Sequence, residues 1–242
     1  LRHPVPHPEP TDTLKLLFAG YNGTRNTGSD VRVEEILRQV RQLFGSDRVE
    51  LTVFSFIKPY SKGYFGDARQ VSPGALFPRF LSQEVPRHHG VIACEGSTFK
   101  SAFTDMLTIM MVGAMGLATA QNKLSVAYGA EAGKMNPSMK HLTEKYCKKS
   151  LIITRNEESR RVLAELDVPS EFGTDTAWTF CPLGEDYAKQ ELRKVGWNGE
   201  RILMVCPINP FWWPVTASLS KTALRMFGFY RSSHYGRIFF FN

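Results

Sequence analysis

The sequence predicts an α/β fold in which a parallel sheet carries helices on both faces. Short β-branched apolar runs alternate with longer segments of helical periodicity along residues 14–205, as in parallel sheets with helical crossovers. Residues 106–120 are apolar and too few to cross a bilayer, which predicts a buried core helix. A third indication is a loop of glycine and short polar residues at 20–30, between a predicted strand and a predicted helix.

The individual elements follow from periodicity and from capping residues. Strands are predicted at residues 14–19, 49–54, 91–94, 124–128, 150–154, 174–178 and 202–205. Helices are predicted at residues 31–44, 75–85, 99–121, 137–148, 160–166 and 185–195. Ser29 or Asp30 is expected to cap the first helix, Ser97 or Thr98 the third and Asn136 the fourth, whereas Pro78 should break the second. Residues 55–74 read as a long connection serving a site or lid.

Charge is distributed unevenly along the 242 residues. Residues 201–242 hold five basic residues and no acidic ones, whereas the first 200 hold 25 basic and 23 acidic residues. A nucleic-acid-binding protein would carry a broader basic surface, so no nucleic-acid partner is expected. Four widely spaced cysteines favour a reducing compartment, hence a cytoplasmic location. The proline-rich start lacks the apolar region of a signal peptide and predicts a disordered tail over residues 1–13.

Candidate site residues lie where predicted strands end. A strand that stops at Glu95-Gly96-Ser97 before a helix would present backbone N–H groups to an anion, and Lys100 adds a positive charge. The spacing is not that of a P-loop, and loop 20–30 lacks the G-x-G-x-x-G fingerprint. The histidines and cysteines show no metal-ligand spacing, so no metal is expected.

Three stretches together resemble the polysaccharide pyruvyl transferase family. They are Gly20 to Asp30, the turn Glu95-Gly96-Ser97, and Arg155-Asn156-Glu157-Glu158-Ser159 followed by Thr174-Asp175-Thr176-Ala177. The resemblance covers roughly residues 14–205. It implies transfer of a pyruvyl ketal from phosphoenolpyruvate to sugar hydroxyls of a surface polysaccharide, without a metal or organic cofactor. The implied fold has two Rossmann-like halves of the GT-B type with the site between them.

The chain departs from the family pattern in two places. Asn26-Thr27-Gly28-Ser29-Asp30 is one residue longer than the family's loop, which bears on the role of Asp30. The family's second half, with a general-acid histidine and a companion arginine, follows the point where this chain enters residues 206–242. We therefore expect residues 14–200 to form the N-terminal Rossmann-like domain and residues 201–242 to begin a truncated second domain. We also expect the 242-residue chain to have little or no transferase activity.

The chemistry of phosphoenolpyruvate assigns roles within this set, because its carboxylate and phosphate require cations and N–H donors. Arg155 at a strand's carboxyl end could grip one anionic group bidentately, or could form an ion pair with Glu157, Glu158 or Asp175. Asn22, Asn26 and Asp30 could bind sugar hydroxyls, or could serve only as loop and cap residues. Glu95 could orient the acceptor, act as a base or cap a turn, and Asp175 could line the cleft or fix a turn. The predicted substrate-binding set is Asn26, Asp30, Glu95, Gly96, Ser97, Lys100, Arg155 and Asp175, and no catalytic residue is assigned.

Two other functions stay open at this point. The fold is also compatible with a GT-B glycosyltransferase that uses a nucleotide sugar, and a non-catalytic half-domain could retain only the sugar and anion contacts. The expected partners are phosphoenolpyruvate and a saccharide acceptor. A homo-oligomer, and a peripheral membrane contact through the basic aromatic segment at 201–242, also stay open.

Overall fold

A computed structural model describes residues 12–74, 76–101 and 105–203. The chain divides into two units, Leu1–Thr179 and Phe180–Asn242. In the described part of the second unit, helix α6 spans Glu185–Lys194. Residues 201–203 form no regular structure, so the strand predicted at 202–205 is wrong for its first two positions and otherwise lies outside the described residues. The predicted tail at 1–13 and the second domain at 201–242 likewise fall almost wholly outside them.

The first unit is built on a seven-stranded, wholly parallel sheet in the order β3-β2-β1-β4-β5-β6-β7. The predicted α/β class is therefore confirmed. The strands are β1 (Leu14–Ala19), β2 (Val49–Phe54), β3 (Arg69–Val71), β4 (Gly90–Ala93), β5 (Leu124–Ala130), β6 (Leu151–Thr154) and β7 (Glu171–Phe172). The helices of this unit are α1 (Thr27–Phe44), α2 (Phe77–Glu84), α3 (Asp105–Ala120), α4 (Pro137–Cys147) and α5 (Glu157–Ala164).

Side chains alternate between the two faces of the sheet, and each face buries a separate hydrophobic cluster. Leu16 and Phe18 of β1 pack with α1, whereas Leu17 and Ala19 pack with α2 and α3. This alternation is the period of two expected of a strand, and it requires helices on both sides of the sheet. Helices therefore cover both faces, as predicted.

Helix α3 is buried along the side that faces the sheet, as its apolar sequence predicts. Met111 and Met115 are fully buried, whereas Met106 is 46% exposed. The opposite side of α3 borders an open apolar groove of about 440 Å³, between Leu81 of α2 and Tyr146 of α4. Among the described residues, no helix combines the length and the apolar character needed to cross a bilayer.

Helix starts differ from the sequence prediction at α1, α2, α3 and α5, the last of which begins at Glu157 rather than at residue 160. Asn26 caps α1, which therefore begins four residues before the predicted position 31. Residues 97–101 run as turn and extended backbone with an isolated bridge from Phe99 to Ala132, so neither Ser97 nor Thr98 caps α3. Pro78 lies in the first turn of α2, where proline fits, and does not break that helix. The Asn136 cap and Pro137 start of α4 are confirmed.

Two short strands were missed, and one predicted strand is wrong. The connection at 55–74 contains a 3₁₀ turn, Lys58–Ser61, and strand β3. β7 has only two residues, and the strand predicted at 174–178 is instead a 3₁₀ turn, Thr176–Thr179. Strands this short carry no measurable alternation, so periodicity could not find them.

A buried lysine fixes the loop that leads from α2 into β4. The Nζ of Lys123 donates to the carbonyl oxygens of Val85, Pro86 and His88 at 3.2, 2.8 and 2.5 Å. Only 8% of the Lys123 residue is exposed, so these carbonyls have little access to water. The ammonium group thus replaces the solvent that would otherwise satisfy the end of this segment.

We expect Lys123→Met to lower the free energy of unfolding by about 1–3 kcal/mol, because buried acceptors lose a charged donor. Chemical denaturation followed by circular dichroism would measure the change. Lys140→Met is the matched control, since Lys140 is exposed on α4. An equal loss in both variants would contradict the role assigned to Lys123.

Candidate functional site

The candidate site lies along the carboxyl edge of the sheet, on both sides of the boundary between β1 and β4. The chain leaves β1 towards α1 on one face of the sheet and leaves β4 towards α3 on the other. Such a reversal opens a crevice at the strand ends, where open α/β sheets bind their ligands. The residues that follow β4, β5, β6 and β7 converge here with the first turns of α1.

Six charged side chains form an alternating network at this edge, which we call the charge chain. In order along the network they are Lys100, Glu131, Arg155, Asp175, Arg32 and Glu95. Each cation contacts at least one carboxylate and the formal charges balance. The network joins segments from five parts of the sequence, so it depends on the tertiary fold.

Arg32 holds the buried end of the charge chain. Its Nη2 donates to the carbonyl oxygen of Gly129 at 2.6 Å, and its Nη1 lies 3.6 Å from Glu95 Oε1. Its Nε lies 3.0 Å from Asp175 Oδ1, but the N–H does not point along this line, so the contact is an ion pair without a hydrogen bond. Ser29 Oγ donates to Glu95 Oε2 at 2.8 Å. With 6% of the Arg32 side chain exposed, water screens these contacts weakly.

Arg155 and Lys100 form the more exposed end. Arg155 donates through Nη1 to Asp175 Oδ2 at 2.8 Å and through Nη2 to Glu131 Oε2, and Lys100 Nζ donates to Glu131 Oε1. The Arg155 side chain is 29% exposed, and the Lys100 side chain 21%. Of the ion pairs open from the sequence, Arg155 thus makes the one with Asp175, and it adds Glu131, which was not foreseen.

The pKa shifts at this end follow from burial and crowding. Burial lowers the pKa of Lys100, and the nearby Arg155 lowers it further. Burial alone would raise the pKa of Asp175, but the Ala177 N–H and the guanidinium groups of Arg32 and Arg155 together lower it. The charged form of Lys100 is thus less favourable than in water, and the charged form of Asp175 is more favourable.

Gly96 provides the space in which the two arginines meet. A Cβ atom at this position would overlap Nη1 of Arg32 and would lie 2.8 Å from Nη1 of Arg155. Thr98 Oγ1 donates to the Glu95 carbonyl oxygen and stabilises this turn. Ser97 is half-buried in the turn and takes no part in the charge chain.

The polar residues of loop 20–30 are engaged within the protein. Asn22 is fully buried, and its Nδ2 contacts Cys94 Sγ at 3.6 Å. Asn26 accepts from the Ser29 N–H as the helix cap, and the Asp30 carboxylate accepts from the Gly23 N–H at 2.8 Å. Burial raises the pKa of Asp30, although the Gly23 bond opposes the shift. These side chains therefore take the loop and cap roles left open by the sequence.

The sequence analysis missed two residues of the charge chain, each of which carried a signal. Arg32 lies near the start of a helix, where a cation opposes the helix dipole unless carboxylates face it. Glu131 follows β5 directly, between Gly129 and Gly133, at a position where parallel sheets present functional groups. Glu131 could have been found by searching the ends of the predicted strands for charged residues, and Arg32 by searching the first turns of the predicted helices for cations.

The described residues contain no group of three or more histidine, cysteine, aspartate or glutamate side chains arranged to hold a metal ion. Cys94 is buried beside the site, and burial raises the pKa of its thiol to about 12, which leaves it protonated and a poor nucleophile. What the arrangement offers is two partly exposed cations that share the Glu131 carboxylate, beside a buried arginine that contacts Glu95, Asp175 and the Gly129 carbonyl oxygen. Comparisons of the chain with protein-family models, with curated proteins and with solved structures returned no match.

Proposed function

We propose that this protein is a polysaccharide pyruvyl transferase and that the exposed end of its charge chain binds phosphoenolpyruvate. The observation that supports this most is convergence. Ser29 from the first stretch of the family resemblance contacts Glu95 of the second, and Arg155 and Asp175 of the third join the same network. Residues far apart in sequence that meet at a ligand-binding edge favour a functional role over separate structural ones.

The donor fits this end of the network by charge. Glu131 bonds to both Lys100 and Arg155, and Arg155 bonds in addition to Asp175, so a donor anion competes with these carboxylates for two partly exposed cations. A phosphate or carboxylate of the donor replaces Glu131 on these cations, and Arg155 donates to it bidentately. Burial lowers the pKa of Lys100, so a doubly charged phosphate in place of the single charge of Glu131 would stabilise the charged ammonium.

In the transfer, two acceptor hydroxyl oxygens bond to C2 of phosphoenolpyruvate and the C2–O bond to phosphate breaks. One hydroxyl proton is transferred to C3, which becomes a methyl group, and the other leaves with phosphate. Lys100 and Arg155 bind and orient the donor and stabilise the departing phosphate charge. The proposal gives the described residues no role as the acid that protonates C3.

Calorimetric titration of the full chain with phosphoenolpyruvate tests the donor assignment. We expect saturable binding that weakens with salt, because the contacts are ionic and partly exposed. Inorganic phosphate and pyruvate serve as competitors, and a nucleotide sugar represents the glycosyltransferase alternative. Binding of the nucleotide sugar without binding of phosphoenolpyruvate would overturn the proposal.

Arg155→Lys is expected to weaken phosphoenolpyruvate binding at least tenfold while the protein stays folded. Lysine keeps the charge but cannot form the bidentate contact, which is worth about 1.5–3 kcal/mol with a charged partner. Titration gives the affinity and circular dichroism the folded state. Arg161→Lys, an exposed position on α5, is the control. Unchanged affinity in Arg155→Lys would make Arg155 a purely structural residue.

A further inference from the structure

Across the boundary between β1 and β4 from the charge chain, the loops after β1 and β2 present an aromatic surface. We call it the aromatic platform, and it consists of Tyr21, Arg25, Phe56 and Tyr60. The rings of Tyr21 and Phe56 pack with centroids 5.4 Å apart, and the Arg25 guanidinium lies 4.3 Å from the centroid of the Tyr60 ring. Tyr21, Phe56 and Tyr60 are half-buried, so each keeps part of its ring accessible.

Arg25 is held in an unusual state. Its φ of 60° lies in the left-handed region, which non-glycine residues adopt at an energetic cost. Among the described residues its side chain contacts the Tyr60 ring and forms no hydrogen bond or ion pair. Arg32 and Arg155, at the same edge, are both bound to carboxylates. Arg25 thus offers free N–H donors, with the ring holding the guanidinium in place.

Hydrogen bonds and close packing fix the backbone beneath the aromatic platform. The Phe56 N–H donates to the Asn22 carbonyl oxygen at 3.1 Å, which joins the two loops. Gly23 fits so closely that a Cβ there would lie 3.0 Å from Ser61 Oγ. The Ser61 hydroxyl in turn lies 2.7 Å from Ser55 Oγ. Strain at Arg25 is therefore supported by a rigid frame, as at sites where strained residues serve binding.

We infer that the aromatic platform is the saccharide subsite of this edge. The apolar C–H face of a pyranose ring packs on Tyr21, and Arg25 donates to its hydroxyl or carboxylate oxygens. The polar residues of loop 20–30 that the sequence offered for this role are occupied, since Asn26 and Asp30 bond to backbone N–H groups. The inference rests on the proposed function, for which it supplies the acceptor site.

The first experiment uses Arg25→Gly in the full chain. Methyl β-galactoside, methyl α-mannoside and methyl β-glucuronide are the probes, titrated by saturation-transfer NMR. Glycine suits the left-handed backbone, so we expect an unchanged or higher midpoint of thermal unfolding together with at least tenfold weaker saccharide binding. Asn122→Gly is the matched control, because Asn122 also has a positive φ, 53°, but lies in the turn before β5, away from the carboxyl edge.

The second experiment uses Tyr21→Ala, for which we expect at least fivefold weaker binding of the same probes. Its control is Tyr64→Ala, since the Tyr64 ring is 43% exposed and pairs with Phe65 outside the platform. Failure of all three probes to bind the parent chain, or unchanged affinity in both Arg25→Gly and Tyr21→Ala, overturns the inference.

Phosphoenolpyruvate titrations of the same proteins separate this inference from the proposed function. If the parent protein binds phosphoenolpyruvate but no saccharide, the saccharide subsite is contradicted and the donor site is supported. If the protein binds saccharides through Arg25 but does not bind phosphoenolpyruvate, the saccharide subsite is supported and the transferase proposal is contradicted. Donor affinity should be unchanged in Arg25→Gly, because the platform and the charge chain contain different residues.

Discussion

Replacing Arg32 by methionine is expected to lower the free energy of unfolding by about 3–5 kcal/mol, the usual effect of removing one partner from a buried ion pair. The Arg32 side chain is 6% exposed and contacts Glu95 and Asp175. Methionine keeps most of the aliphatic stem, so the main change is that the buried Glu95 carboxylate loses its cation and Asp175 keeps only Arg155. The Gly129 carbonyl oxygen also loses its donor. Urea denaturation monitored by circular dichroism measures the difference.

The pH dependence of the Arg32→Met effect follows from Asp175, whose pKa the folded protein lowers. A carboxyl group of this kind stabilises the fold above its unfolded pKa of about 3.9. That contribution is lost as the pH falls through the lower folded pKa. The stability difference between the parent and Arg32→Met should therefore be full at pH 7 and should narrow below about pH 4.

Arg160→Met is the control for this variant. Arg160 pairs with Glu157 on the surface, and both side chains are about half exposed. Such pairs contribute about 0–1 kcal/mol. A loss in Arg32→Met no larger than in Arg160→Met would show that the charge chain contributes little to stability.

The strands were the most predictable part of the fold. β1 and β2 have the predicted bounds, 14–19 and 49–54, because short, mainly apolar runs bounded by polar residues and glycine allow few other interpretations. β7 was missed because it pairs only Glu171 and Phe172 with β6. Its position depends on the neighbouring strand, which no local pattern records.

Helix starts were less predictable, because neighbouring residues compete for the same role. Asn26, Ser29 and Asp30 are all good caps by type. In the fold, the Ser29 hydroxyl binds Glu95 and the Asp30 carboxylate binds the Gly23 N–H, so the cap falls to Asn26. Tertiary partners thus decided between equal local choices.

Residues 97–101 show the same effect. The Phe99 N–H donates to the Glu131 carbonyl oxygen at 3.1 Å, and the Gly133 N–H donates to the Phe99 carbonyl oxygen at 3.0 Å. This pairing holds the segment extended, although its sequence is compatible with a helix. It also brings Lys100 to Glu131, so the misread helix start and the missed carboxylate have one cause.

The location of the candidate site was predictable, but its pairings were not. Glu95 and Arg155 were singled out because they follow predicted strands, and Asp175 because it lies in the third stretch of the family resemblance; the structure brings all three to one edge. Which carboxylate meets which cation depends on strand order, and β1 lies beside β4 rather than β3. The sequence analysis therefore named members of the charge chain without their order.

We expect Gly96→Ala to affect ligand binding at the site more than the addition of a methyl group at any other position. The added Cβ would overlap the Arg32 guanidinium and would lie 2.8 Å from Nη1 of Arg155. Arg32 is anchored to the Gly129 carbonyl oxygen and Arg155 to Asp175, so neither moves without breaking a contact. We expect phosphoenolpyruvate affinity to fall at least a hundredfold, and stability to fall by about 1–3 kcal/mol through overpacking.

Displacing the arginines in Gly96→Ala can weaken phosphoenolpyruvate binding, destabilise the fold, or do both. Measuring the affinity and the free energy of unfolding separately distinguishes these effects. Gly113→Ala is the matched control, since a Cβ on that helical glycine would lie 3.6 Å from Leu81 Cδ1, an ordinary contact distance. Alanine is favoured over glycine within a helix, so the control should be neutral or slightly more stable. A folded Gly96→Ala protein that binds phosphoenolpyruvate as the parent does would mean that the donor does not contact Arg155. Weakened phosphoenolpyruvate binding with a nearly unchanged urea midpoint would show that Gly96 acts by positioning the guanidinium groups. In that case the two groups would have moved while the edge of the sheet stayed folded.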